Sequence, residues 1–184
     1  MLKPGVRFSD VNWHAIDMTI DALLDIGLLK GKRDDILATG TVGAFFPHGL
    51  GHHLGLEVHD ITPTSADSEE SSPKRTSKAC GFGFAHTTFV PSTFNATPLT
   101  PGNVVTIEPG LYFNKYNLDT VYLPDPNHSQ HIDTEVLKRY MPVGGVRIED
   151  DILITDSGYE NLTPAVKGEE MLKVIREGAA GRFD

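Results

Sequence analysis

The sequence contains only one cysteine, Cys80, in 184 residues. No intrachain disulfide can form, so the core must hold without one. Long apolar runs are also missing: stretches such as Val42–Phe46 extend over a few residues, far short of the ~20 that a transmembrane helix needs. The N-terminus has no apolar segment of the signal-peptide type. These absences predict a protein that neither spans a membrane nor is secreted, and we expect it to be cytoplasmic.

Positive charge is scarce, with 16 Lys and Arg against 25 Asp and Glu and a formal net charge of −9. Nucleic acids and anionic membranes are bound through concentrated basic surfaces, so we expect neither as a partner. Eight histidines against one cysteine direct any metal chemistry toward imidazole and carboxylate ligands. The length corresponds to about one domain.

Four segments are predicted to be helical. The first begins at a cap formed by Ser9 or Asp10 and ends before Gly27, a typical helix-terminating position. Its apolar residues recur at helical spacing: Ile16, Ile20, Leu23 and Leu24. The others are predicted at residues 33–38, near 134–139, and from Gly168 onward, where Met171, Leu172 and Ile175 share one side.

Extended structure is predicted at Val104–Ile107, Leu111–Phe113 and Val146–Thr155. In the last of these the period of two places Arg147, Glu149 and Asp151 on one face of the strand. Residues 62–78 are rich in Ser and Thr and have no aromatic or β-branched aliphatic residue. Such a segment buries too little apolar surface to offset its ordering entropy. We therefore predict a flexible insertion at about 61–98.

Three separate segments carry candidate metal ligands: His52, Glu108 and Glu149. One imidazole and two carboxylates suit Mn²⁺, Co²⁺, Fe²⁺ or Zn²⁺. Taken singly, a glutamate in a strand is usually solvent-facing, and a lone histidine is usually a surface or satisfied core residue. Four histidines outside any motif are predicted to be surface residues: His14, His86, His128 and His131.

Three motifs carry a resemblance to a known family: PHGLGHHLGLEVHD, VVTIEPGLYF and GGVRIEDDILITDSGYENLT. In this order and context they resemble the pita-bread metallopeptidases, and within them the Xaa-Pro branch of proline aminopeptidases and prolidases. The opening KPGV and its helix are similar as well. The likeness covers residues 3–60 and 100–165 and fails across about 61–98. It implies an α+β fold, helices packed on a curved antiparallel sheet, of which this chain is about the second half.

The resemblance also implies residue roles. His52, Glu108 and Glu149 match metal ligands, and Glu108 also handles the proton of the attacking water. His59 matches a histidine that stabilises the tetrahedral intermediate and contacts substrate. His48 and Arg147 match residues that line the proline site, although Arg147 paired with Glu149 or Asp151 could be purely structural. His53 is expected to face another side.

The implied activity is hydrolysis of the bond before proline by two divalent ions, Mn²⁺ first, with Co²⁺ or Zn²⁺ as alternatives. The substrate is a proline-containing peptide, either a dipeptide or longer, and the full-length protein could form a homodimer. The family uses two further aspartate ligands on strands before the KPGV helix, and this chain has no room for them. We therefore expect a fragment that is inactive alone. The alternative is a non-catalytic interaction module on the same fold, but intact ligand positions favour the peptidase.

Overall fold

A computed structural model describes residues 1–60 and 97–179, with the side chain of Ala179 excepted. The helices are α1 (Phe8–Asp25), α2 (Arg33–Thr39), α3 (Lys115–Asn117), α4 (Pro126–Ser129), α5 (Thr134–Tyr140) and α6 (Gly168–Ala179). Thr41–Ala44 and Met141–Val143 are 3₁₀ turns, and Leu118–Tyr122 is a π-helical turn. The strands are β1 (Val104–Ile107), β2 (Gly110–Tyr112), β3 (Gly145–Arg147), β4 (Asp150–Ile154) and β5 (Tyr159–Asn161).

Helix α1 forms because its apolar residues recur on one face, where Ile16, Ile20 and Leu23 are fully buried. It ends in a Schellman motif around Gly27, whose φ is +73°. Leu28 N–H donates to the carbonyl of Leu23, and Gly27 N–H donates to that of Leu24. The predicted stop is therefore confirmed.

The predicted cap of α1 is wrong. The helix begins at Phe8, and Arg7 occupies the N-cap position, where its side chain makes no hydrogen bond that caps the helix. Ser9 is buried inside the first turn. Arg7 also pairs with Pro98 in an isolated antiparallel bridge, so a tertiary contact, rather than a capping side chain, holds the entry to the helix.

Strands β1 and β2 pair with β4 and β3, respectively, and together they form one antiparallel ribbon that is interrupted between the two ladders. β1 pairs with β4 from Val104 opposite Leu153 to Ile107 opposite Asp150, and β2 pairs with β3 from Gly110 opposite Arg147. Both ladders share one register, so the two residues between them on each strand also face each other. Pro109 has no N–H to donate, which interrupts the ladder there. The strand predicted at Val146–Thr155 is accordingly two strands, broken at Ile148–Glu149.

The ribbon has a polar and an apolar face, as the period-two pattern predicts. Residues 50–54 pair along the free edge of β1, through hydrogen bonds from Leu54 N–H to Val104 O, from Thr106 N–H to His52 O and from Glu108 N–H to Leu50 O. β5 pairs along the other edge of β4. The apolar face contributes Ile107, Leu111, Val146 and Ile148 to a groove of about 680 Å³ beside α1.

Two histidines predicted to be surface residues are buried instead. His128 and His131 are 6% and 7% exposed. His128 Nδ1 lies 3.0 Å from the hydroxyl of Thr41, and its ring packs edge-on against Tyr122. Burial lowers the pKa of His128. The helical turns at 115–129, which the sequence did not predict, bring these residues together.

Most of the predicted insertion at 61–98 falls outside the described residues. None of the helices in the described ranges is long and apolar enough to cross a lipid bilayer.

Candidate metal centre

The shared register of the two ladders places Glu108 directly across from Glu149 on the polar face of the ribbon. Like charges in this position destabilise a strand pair. Glu108 is 7% exposed, whereas Glu149 is exposed to solvent. Positive charge near the two carboxylates would relieve this repulsion.

His52 approaches the glutamates from segment 50–54, which pairs along the free edge of β1. One ligand atom each of His52, Glu108 and Glu149 lies within 4.8 Å of the others. The three sequence-predicted ligands therefore meet at one point, although they come from segments far apart in the chain.

The orientation of the His52 ring follows from its hydrogen bonds. Nδ1 lies 2.9 Å from the carbonyl oxygen of His53, which can only accept, so Nδ1 carries the proton. In the neutral ring Nε2 is then an acceptor, and it lies 3.2 Å from Oε1 of Glu108. Two acceptors at this distance require a proton or a cation between them.

A hydrogen-bonded chain continues from Glu108 toward the predicted proline site. Arg147 NH1 donates to Oε2 of Glu108 at 2.8 Å, and Arg147 Nε donates to the hydroxyl of Tyr112. That hydroxyl lies 3.0 Å from Nε2 of His48. His48 Nδ1 donates to the carbonyl of Gly49 at 2.7 Å, so Nε2 accepts from Tyr112.

The electrostatics of His48 agree with this pattern. Burial lowers the pKa of its imidazole, against the opposing effect of its bond to Gly49, and the charge of Arg147 lowers it further. A neutral His48 keeps Nε2 available as an acceptor. Within the described chain, the partners of Arg147 are Glu108 and Tyr112 rather than Glu149 or Asp151.

His59 lies beside the ligands, with its ring centroid 4.3 Å from that of His52, and it is exposed. Burial lowers the pKa of His53, with the charge of Asp60 acting in the opposite direction. All six residues predicted for the site thus lie together at the polar face of the ribbon.

The sequence did not predict two further residues of the site, Tyr112 and Thr106. Tyr112 links His48 to Arg147, and its ring packs over Gly110, where an added Cβ would lie 2.5 Å from the tyrosine hydroxyl. Thr106 contacts both His52 and Glu108. Thr106 and Tyr112 share the strand face of Glu108 by the period of two, and this signal could have identified them.

Comparisons with known proteins agree with this geometry. The profile of Metallopeptidase family M24 matches residues 1–156, so the match extends across the predicted insertion. A probable Xaa-Pro aminopeptidase from Pyrenophora tritici-repentis is 48% identical and covers 100% of this chain, which spans 29% of that protein. A probable Xaa-Pro aminopeptidase from Botryotinia fuckeliana is 42% identical, with coverage of 97% and 33%.

Among solved structures, Escherichia coli aminopeptidase P with the inhibitor Pro-Leu superposes with a TM-score of 0.64 at 28% identity, over 99% of this chain and 31% of that one. Its low-pH form gives the same values. The chain therefore belongs to Metallopeptidase family M24 and has the mixed helix-and-sheet, pita-bread architecture of aminopeptidase P. It spans about a third or less of the length of these relatives.

Proposed function

We propose that this chain supplies His52, Glu108 and Glu149 as metal ligands to an Xaa-Pro aminopeptidase, which hydrolyses the peptide bond before proline. The observation that carries the proposal is the contact between Nε2 of His52 and Oε1 of Glu108 at 3.2 Å, with Glu149 across the ribbon. A divalent cation between these two atoms would be coordinated by both of them.

The donor set fits a divalent metal of the first transition row. Imidazole and carboxylate suit Mn²⁺, Co²⁺ and Zn²⁺, of which we propose Mn²⁺. The bond from His52 Nδ1 to the carbonyl of His53 is the kind of outer contact that fixes a ligating histidine. When bound, a pair of such ions supplies an activated water molecule and polarises the scissile carbonyl.

The remaining residues of the site act on Glu108 and on the substrate. Arg147 holds Oε2 of Glu108 and thereby orients the carboxylate that receives the proton of the attacking water. His48 and Arg147 line the proline side, and the neutral His48 is held there by Tyr112. His59, beside His52 and exposed, is placed to stabilise charge on the carbonyl oxygen of the substrate.

The test is a calorimetric Mn²⁺ titration of the 184-residue chain. Three protein ligands cannot complete two coordination shells, so we expect one weakly held ion and no turnover of an Xaa-Pro peptide. Glu149→Gln should weaken binding about tenfold or more, equivalent to ~1.4 kcal/mol. The control, Glu160→Gln, changes an exposed glutamate on β5 and should bind as the wild type does.

The outcomes separate the alternatives. Equal Mn²⁺ binding by Glu149→Gln and the wild type would contradict the ligand assignment. Proline-specific turnover with two tightly held ions would contradict the ligand count. A wild-type chain that binds no divalent ion would instead favour the non-catalytic interaction module.

A further inference from the structure

The hydroxyl of Thr106 lies between the backbone of one proposed metal ligand and the carboxylate of another. Its Oγ1 is 2.9 Å from the main-chain nitrogen of His52 and 2.9 Å from Oε1 of Glu108. Thr106 is 2% exposed, so solvent does not compete for either bond. The same Oε1 is the atom that approaches Nε2 of His52.

The direction of both hydrogen bonds is determined by the groups involved. The main-chain N–H of His52 can only donate, so Thr106 Oγ1 accepts there. A carboxylate oxygen can only accept, so the single hydroxyl proton of Thr106 points to Glu108. A more distant contact to the carbonyl of His52, at 3.5 Å, competes poorly for that proton.

The residue type and its neighbours hold the hydroxyl in this position. A β-branched side chain in a strand has few χ1 choices, so the rotamer of Thr106 is restricted before any bond forms. The absence of a side chain at Gly51 leaves room for it, since a Cβ there would lie 2.8 Å from Oγ1. The hydroxyl therefore holds both of its hydrogen-bond partners, the main-chain N–H of His52 and the carboxylate of Glu108, in fixed positions relative to β1.

We propose that Thr106 is a positioning residue that sets the separation of His52 and Glu108, acting through the hydroxyl rather than by touching metal or substrate. This inference rests on the proposed function for its consequence, which is a defined distance between two metal ligands. Its geometric part, the placement of His52 and Glu108 by the hydroxyl, can be measured without metal.

The experiment compares three variants of the 184-residue chain. Thr106→Val keeps the shape and removes the hydroxyl, and Thr106→Ser keeps the hydroxyl and removes the methyl group. Thr41→Val is the matched control, because Thr41 is also a buried, hydrogen-bonded threonine but lies away from the site. Each chain is examined by NMR of the His52 amide and imidazole, and then titrated with Co²⁺ while its visible absorption is recorded.

We expect Thr106→Val to shift the His52 amide and ring signals and to weaken Co²⁺ binding about tenfold or more, as loss of an outer contact does at metal sites. Thr106→Ser should restore both readouts. Thr41→Val should lower the melting temperature to an extent similar to that of Thr106→Val. It should leave the His52 signals and the Co²⁺ affinity at wild-type values.

Unchanged His52 signals in Thr106→Val would overturn the proposal, and so would equal losses of Co²⁺ affinity in Thr106→Val and Thr41→Val. If the wild type binds no Co²⁺ while the His52 signals still follow the hydroxyl, the proposed function fails and the positioning role stands. Should Thr106→Val not fold, Thr106→Ser decides, because a tenfold loss of affinity or a shifted His52 amide in that chain would also overturn the proposal.

Discussion

At Gly51 the edge segment 50–54 lies so close to β1 that a Cβ does not fit between the two backbones. A Cβ at this position would lie 1.9 Å from the carbonyl oxygen of Thr106 and 2.7 Å from its carbonyl carbon. Those atoms belong to the main chain of β1, where Thr106 is paired with Asp151 on the next strand. Gly51→Ala must therefore push the edge segment away from the sheet.

The cost can be worked out from the bonds that the displacement breaks. Three main-chain hydrogen bonds join residues 50–54 to residues 104–108, and each is worth about 0.5–1.5 kcal/mol net. Their loss destabilises the chain by roughly 1.5–4.5 kcal/mol, and for a domain of this size that lowers the melting temperature by roughly 3–18 °C. His52 moves with the segment, so Mn²⁺ binding should be lost as well.

Thermal melting, amide hydrogen exchange and the Mn²⁺ titration measure these effects. The amides of Leu54, Thr106 and Glu108 should lose protection in Gly51→Ala. Gly158→Ala is the matched control, because no atom lies within 4 Å of a Cβ added there. A Gly51→Ala chain that melts within about 1 °C of the wild type, with its three amides still protected, would refute the reasoning from close approach.

Two further predictions concern Tyr112 and His128. Tyr112→Phe removes the hydroxyl that joins Arg147 to His48, so we expect a loss of about 1 kcal/mol in urea unfolding and a shifted His48 imidazole signal; an unmoved signal would mean that the bond does not hold the ring. Burial lowers the pKa of His128 in the folded chain, so the unfolded chain binds a proton at this imidazole more readily. The stability that the neutral ring contributes is therefore lost as the pH falls below the pKa of the unfolded chain, about 6.5. His128→Gln should reduce the slope of stability against pH in this window, whereas exposed His14→Gln should keep it; equal slopes in all three chains would contradict the assignment.

Short-range patterns predicted much of the helical structure. The spacing of Ile16, Ile20 and Leu23 predicts the buried face of α1, and Gly27 marks its end, since both depend on contacts within a few residues. The cap of α1 could not be predicted in this way. It depends on the pairing of Arg7 with Pro98, a residue remote in the chain.

The burial of His128 and His131 was missed for a related reason. Both residues lie in a polar segment without a clear period, and that pattern is typical of surface loops. Their burial requires Thr41 and Tyr122 to approach from other elements, and sequence spacing does not encode such an approach.

For the candidate metal centre, the sequence by itself determined which residues carry ligand chemistry and which strand face they occupy. The period of two places Arg147 and Glu149 together, and the motifs identify His52 and Glu108. Only the tertiary structure decided that Glu108 lies opposite Glu149 and that Arg147 binds Glu108. The reason is that alternation along a strand is a local property of the backbone, whereas strand register depends on pairing between distant segments. A shift of β3 and β4 by one residue would place Arg147 and Glu149 on the face opposite to that of Glu108.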